Sequence, residues 1–219
     1  MSGFLSSSIA RKFAMALSAL FLIFFLIIHL AVNITSVFSE DLFNQLSHFM
    51  GTNPMVQFAL QPVLLVGVIF HFVMGFVLEI RNKSARDVKY VNYKGSANSS
   101  WMSRNMIYSG LAILAFLLIH FIDFWAPEMN YKYIEALPEN PTRYYHELQE
   151  KFMPLWRVVL YVIAFVLLGL HLLHGFQSAF QSIGFNNKYT SFVKALGKWY
   201  SILIPAGFIF IALFHYFNH

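Results

Sequence analysis

The chain is 219 residues long, 58% hydrophobic, 18% aromatic and only 11% charged, whereas a soluble domain carries about a quarter charged residues. This composition excludes a disordered polar chain and most soluble enzymes. The absence of cysteine excludes disulfides, thiolate iron–sulfur ligation, zinc–thiolate sites and cysteine nucleophiles. The formal charge of +5 bears first on membrane orientation, and no nucleic-acid partner is expected.

Taken in chain order, the apolar residues fall into five runs, at about 13–38, 54–79, 105–125, 154–182 and 199–217. Each is long enough, at about 1.5 Å per residue, to cross about 30 Å of hydrocarbon. Backbone groups in lipid must be satisfied within the segment, so each run is expected to be a helix. Arg11 and Lys12 before the first run resemble the start of a signal peptide. The run is too long for one and no small-residue cleavage pattern follows, so it reads as a retained span. A kink is expected at Pro205. The expected fold is an all-α membrane protein, a five-helix bundle forming a single domain over residues 1–219. The stretch from Asp123 to Lys151 reads as the longest outer loop, and no Walker, Rossmann, HExxH or GxSxG pattern occurs.

Five spans put the termini on opposite sides. Eleven of the fifteen Lys and Arg residues, from Arg11 and Lys12 to Lys198, fall on the N-terminal side, and only Lys132, Arg143, Lys151 and Arg157 on the other. Eight of the ten acids share that second side. The positive-inside rule then places the N-terminus in the cytoplasm and His219 outside.

Nine histidines are the oddity of so apolar a chain, because imidazole in hydrocarbon costs free energy unless its nitrogens are used. His29 lies 17 residues past Lys12, about 26 Å along the helix, in the outer half. His71, 17 residues past Pro54 on a descending span, lies in the inner half. His120 is near the outer end of its span, and His171, 17 residues past Pro154, is again in the inner half. The levels pair His29 with His120 and His71 with His171. Two imidazoles facing each other at one level are what a six-coordinate haem iron requires, so two levels imply two haems. His71-x3-Gly75 and His171-x3-Gly175 place a glycine on the histidine's own face, leaving room for a flat macrocycle. The competing reading is that these histidines are interhelical hydrogen-bond partners. His174 is an alternative to His171 as the fourth metal ligand, although the H-x3-G register favours His171. His215 and His219 read as interfacial, His146 as solvated, and Phe21, Phe24 and Phe25 as lipid-facing or packing surface.

These residues together resemble the dihaem, single-polypeptide cytochrome b anchor of succinate dehydrogenase and fumarate reductase, the succinate:quinone oxidoreductases. The resemblance spans nearly the whole chain. It is carried by His29-Leu30-Ala31-Val32-Asn33, Phe43-Asn44, Ser47-His48-Phe49-Met50, His71-x3-Gly75, Trp101-Met102, His120, and His171-x3-Gly175 running to Gly184. It implies a three-subunit complex in a bacterial inner (cytoplasmic) membrane. A flavoprotein oxidises succinate at a covalent FAD, an iron–sulfur subunit carries the electrons, and the anchor passes them through two haems b to quinone. The anchor does no succinate chemistry itself. By this resemblance His29 and His120 bind the outer haem iron, and His71 and His171 the inner one.

The family also places a quinone near the outer haem, where His48 and Asn33 are the polar candidates. His48 could exchange a proton with it, since imidazole titrates near neutrality; its competing reading is an ordinary hydrogen-bonded loop residue. Trp101, Arg104 and Ser182 are candidates to meet the inner haem's propionates, although for Arg104 a charge facing lipid headgroups is the stronger reading. The cytoplasmic segment 81–104 is the candidate docking surface for the iron–sulfur subunit. Some fumarate reductases of this type carry a proton-conducting glutamate two residues before the fourth ligand. Here that residue is Gly169, and no expected span interior holds an acid. Succinate oxidation with menaquinone reduction is therefore the expected direction. The alternatives are the dihaem cytochrome b anchor of a hydrogenase or formate dehydrogenase, or a transporter whose histidines relay protons.

Overall fold

A computed structural model describes residues 7–84, 106–185 and 187–218. Trp101 and Arg104, and most of the 81–104 segment, lie outside these residues. All regular structure among the described residues is helical, and five helices are long and apolar enough to cross a membrane. The chain is thus an all-α, multi-pass membrane protein. The spans are α1 (Ser8–Phe38), α3 (Val56–Ser84), α4 (Met106–Ile134), α6 (Leu155–Ser182) and α7 (Thr190–Phe217). Two shorter helices, α2 (Glu40–Thr52) and α5 (Tyr144–Phe152), lie between them. Spans of 28 to 31 residues are about 42–46 Å long, so each projects beyond the hydrocarbon core.

Local chemistry sets the breaks. Ser39 is extended and its side chain accepts from Leu42 N at 3.2 Å, capping α2, whose first turn carries Glu40 and Asp41. Asn53 Oδ1 accepts from Met55 N at 3.0 Å and Val56 N at 3.3 Å, starting α3. The α6 helix ends at Gly184, whose φ of +85° only glycine adopts cheaply. Phe185 N donates to Phe180 O and Gly184 N to Gln181 O, a Schellman pattern sealed by the Phe180–Phe185 ring contact at 5.9 Å.

Two spans outrun their apolar stretches. The α4 helix continues to Ile134, so much of the expected outer loop is helix. A wide turn over Phe121–Trp125, closed by Ala126 N donating to Phe121 O, shifts the hydrogen-bond register just before Pro127. The same device, at Val56–Leu60, precedes Pro62. Each absorbs the donor that proline removes, so the helix is not broken. The α7 helix begins at Thr190 rather than near residue 199 because Lys194 and Lys198 lie on its exposed face, where long basic side chains reach water. It also runs on through Pro205. The carbonyl that Pro205 leaves unpaired, Ser201 O, faces Gly169 of α6, where a Cβ would sit 3.1 Å from it.

Helices α6 and α7 form the best-buried pair, through Val158, Phe165, Leu172 and Phe176 against Tyr200, Ile204, Phe208 and Ile211. Helix α1 joins this pair. Tyr200 donates to Ile23 O at 2.7 Å, and Gly207 admits Leu30. Helix α3 exposes Val63, Val66, Ile69 and Val73, a stripe of helical period that faces lipid. Helices α1, α3, α4 and α6 thereby supply most of the wall of one cavity, to which α7 adds Phe208 and Ile211.

Candidate functional site: paired histidines in a transmembrane cavity

The cavity, of about 690 Å³, extends from Lys12 and Glu79 at one end to Phe124 and Trp125 at the other. His29, His71, His120, His171 and His174 all line it. Its remaining wall is mostly apolar, because four helices turn Leu, Ile and Phe side chains inward at successive turns.

At the level expected to be the outer one, the rings of His29 and His120 meet edge-on with centroids 5.8 Å apart and planes at 87°. An aromatic collar holds them. Phe25 stacks on His29 at 5.2 Å, Phe208 approaches it at 5.5 Å, and Phe116 and Phe124 flank His120 at 5.9 and 5.2 Å. Phe25 therefore belongs to the cavity, whereas Phe24 is exposed and Phe21 packs over Gly67. Asn33, one turn beyond His29, lines the cavity and donates to His29 O at 2.8 Å. The Nδ1 of His120 is buried with no hydrogen-bond partner among the described residues.

At the inner level His71 and His171 face each other at 6.5 Å, with planes at 71°. His71 Nδ1 lies 3.1 Å from Ser18 Oγ on α1, and His171 Nδ1 lies 3.1 Å from Ser109 Oγ on α4. His174 turns its Nε2 to Ser178 Oγ, 3.0 Å away on its own helix. Of the two α6 candidates, His171 is thus the one opposite His71. Ser182 lines the cavity at its inner end.

The sequence reading missed Ser18 and Ser109, and the structure explains why they recur. Helices α1 and α4 share the frame Met-x2-Ser-x10-His, in Met15–Ser18–His29 and Met106–Ser109–His120. Eleven residues make just over three helical turns, about 16 Å, so serine and histidine lie on one face at different levels. Each methionine stands against the glycine of the neighbouring H-x3-G. A Cβ at Gly75 would lie 3.8 Å from Met15 Cε, and one at Gly175 3.6 Å from Met106 Cε. The bundle is therefore two similar helix pairs, α1 with α3 and α4 with α6, meeting around the cavity. The identical spacing was the available signal.

The outer end differs from expectation in three respects. Asp123, placed in a loop by the sequence reading, is 4% exposed one turn beyond His120. Tyr161 donates to its Oδ2 at 2.8 Å, and Arg157 lies 3.3 Å from Oδ1. A buried acid thus exists in a span, stabilised by a phenol and a guanidinium. His48 sits on α2 away from the cavity, beside Tyr144 at 6.2 Å and Glu139 at 3.7 Å. It is not brought together with His29 and Asn33. His215 is 1% exposed rather than interfacial, because its Nε2 meets Ser36 Oγ at 2.9 Å and Tyr145 packs on its ring. His146 is exposed, and His219 lies outside the described residues.

Above this end α2, the extension of α4 and α5 form a cap. Glu128 pairs with Lys132 at 2.5 Å and with Arg143, which also holds Glu147 at 2.6 Å, and Lys132 donates to Gly51 O. Burial alone would lower the Arg143 pKa, but the hydrogen bonds it donates to Glu147 and Glu128 outweigh it and the net direction is upward. Burial, reinforced by the charge of Glu128, pushes the Tyr144 phenol up to about 12.

Among the described residues no three or more His, Cys, Asp or Glu side chains converge on a point where a bare metal ion could be held. The polar groups facing the cavity are instead opposed imidazoles in twos. No family model, curated protein or solved structure matches this chain.

Proposed function

We propose that this protein is a dihaem membrane cytochrome b, the anchor and electron-carrying subunit of a succinate:quinone oxidoreductase. The observation that carries this reading is the pair of opposed imidazole couples, at 5.8 and 6.5 Å, at two levels of one apolar cavity. A metal–imidazole bond is about 2 Å and the ring centre lies about 1 Å behind the bonded nitrogen, so two imidazoles on opposite faces of one iron have ring centres roughly 6 Å apart. The donor set and the spacing fit haem b, and Gly75, Gly110 and Gly175 are among the residues of the wall. When bound, haem supplies a one-electron couple at each level.

The chain's own residues then have defined tasks. His29 and His120 hold one iron, His71 and His171 the other, and the Phe25, Phe116, Phe124 and Phe208 collar keeps water from the outer level. Ser182, with Trp101 and Arg104, is assigned to the inner propionates. A quinone, proposed as menaquinone, is taken at the outer mouth, where Asn33 supplies a polar group. The flavoprotein and iron–sulfur subunits dock on the cytoplasmic face, in a bacterial inner membrane with the N-terminus inside. Gly169 supports succinate oxidation rather than a proton-compensated reverse reaction, since its face is filled by Ser201 and Pro205 of α7 and has no room for an acid.

The test is a reduced-minus-oxidised spectrum with pyridine haemochrome quantification of the purified chain. Two low-spin b haems per chain are expected, and a haem-free, folded chain overturns the proposal. His29→Ala and His120→Ala should each lose the same haem, and His71→Ala and His171→Ala the other. Copurifying subunits identify the complex. A flavoprotein with covalent FAD supports the succinate reading, and hydrogenase or formate dehydrogenase subunits would replace it.

A further inference from the structure

We propose that Ser18 and Ser109 are the residues that fix the ring orientation and set the redox potential of the inner haem alone; this rests on the dihaem reading above. A neutral imidazole has one N–H and one lone pair, and its partners decide which nitrogen carries which. The Ser18 hydroxyl donates its single proton to Met15 O at 2.8 Å. Toward His71 Nδ1, at 3.1 Å, Ser18 Oγ can therefore only accept. The network assigns the proton to Nδ1 and leaves the lone pair on Nε2, the form that can bind a metal. The second half of the bundle repeats this in full. Ser109 donates to Met106 O at 2.9 Å, and its Oγ accepts from His171 Nδ1 at 3.1 Å. Both inner rings are thus held by hydroxyls from neighbouring helices.

The outer level has no such device. Among the described residues His120 Nδ1 is buried without a partner, and the Asn33 amide nitrogen 3.4 Å from His29 Nδ1 donates instead to His29 O at 2.8 Å, so neither outer ring has an acceptor at Nδ1. An acceptor at Nδ1–H makes a ligated imidazole a stronger electron donor and favours the oxidised iron. The serines therefore act on one of the two centres, through the axial ligands and without touching the iron.

The experiment is a spectroscopic redox titration of the purified, haem-loaded full chain. The outer midpoint is identified as the one lost in His29→Ala. Ser18→Ala and Ser109→Ala should each raise the inner midpoint and leave the outer one in place. The double variant should raise it further, and Ser18→Thr and Ser109→Thr, which keep the hydroxyl, should restore it. If both midpoints stay fixed in the alanine variants, or both move equally, the assignment is overturned while the dihaem reading stands. A wild-type chain without haem overturns both. Should an alanine variant lose the inner haem instead, retention in its threonine counterpart supports the hydroxyl's role, and loss in both contradicts it.

Discussion

Asp123 shows how one residue's role depends on what the fold brings to it. In sequence it is one acid among several in a polar stretch. In the fold it is buried between Tyr161 and Arg157, and removing it leaves the Tyr161 hydroxyl without its hydrogen bond and Arg157 without its ion pair. Asp123→Ala is expected to cost about 3 kcal/mol, the scale for stranding a buried charge, seen as a lower thermal midpoint in detergent, whereas Tyr161→Phe should cost only about 1 kcal/mol. Tyr144 offers a pH test. Its folded-state pKa is raised to about 12, above an unfolded value of about 10. Its contribution is therefore fully present below pH ~10 and is lost as pH rises toward ~12. Tyrosinate absorbance should show a phenol titrating near pH 12 that Tyr144→Phe removes, and the stability gap between the two proteins should change only within that window.

At the scale of the element, the glycines of α6 and α7 set how closely the best-packed pair can approach. A Cβ at Gly197 would sit 2.6 Å from Phe176 Cδ1, and Phe176 is 4% exposed with its ring against Phe180 and Tyr200 at 5.0 and 5.3 Å. Gly197→Val should destabilise by about 1–3 kcal/mol. Phe176→Leu, which shortens the opposing side chain, should recover part of the loss in a thermal melt of the double variant. Helix ends were less legible in sequence than helix middles. Apolar runs mark what lies in lipid, but α4 and α7 continue into polar segments, where wide turns before proline and lysines on an exposed face sustain them. Hydropathy carries no information on either.

For the whole molecule, the cysteine-free chain makes every introduced thiol unique, so topology can be read directly. Asn140→Cys, between α4 and α5, should react with a membrane-impermeant maleimide on intact cells. Lys188→Cys, between α6 and α7, should react only after the membrane is opened. The reverse pattern would invert the orientation drawn from the charges and exchange the inner and outer levels.

The sequence by itself determined the class, the number of spans and the levels of the four histidines. Hydrocarbon admits only internally bonded helices, and a fixed rise per residue turns position into depth. What only the tertiary structure decided was sideways: that His171 rather than His174 faces His71, that Ser18 and Ser109 meet the inner rings, that Asp123 is buried, and that His48 lies outside the cavity. Depth along a helix is set within one segment, whereas the direction a side chain faces has meaning only once the neighbouring helices are in place.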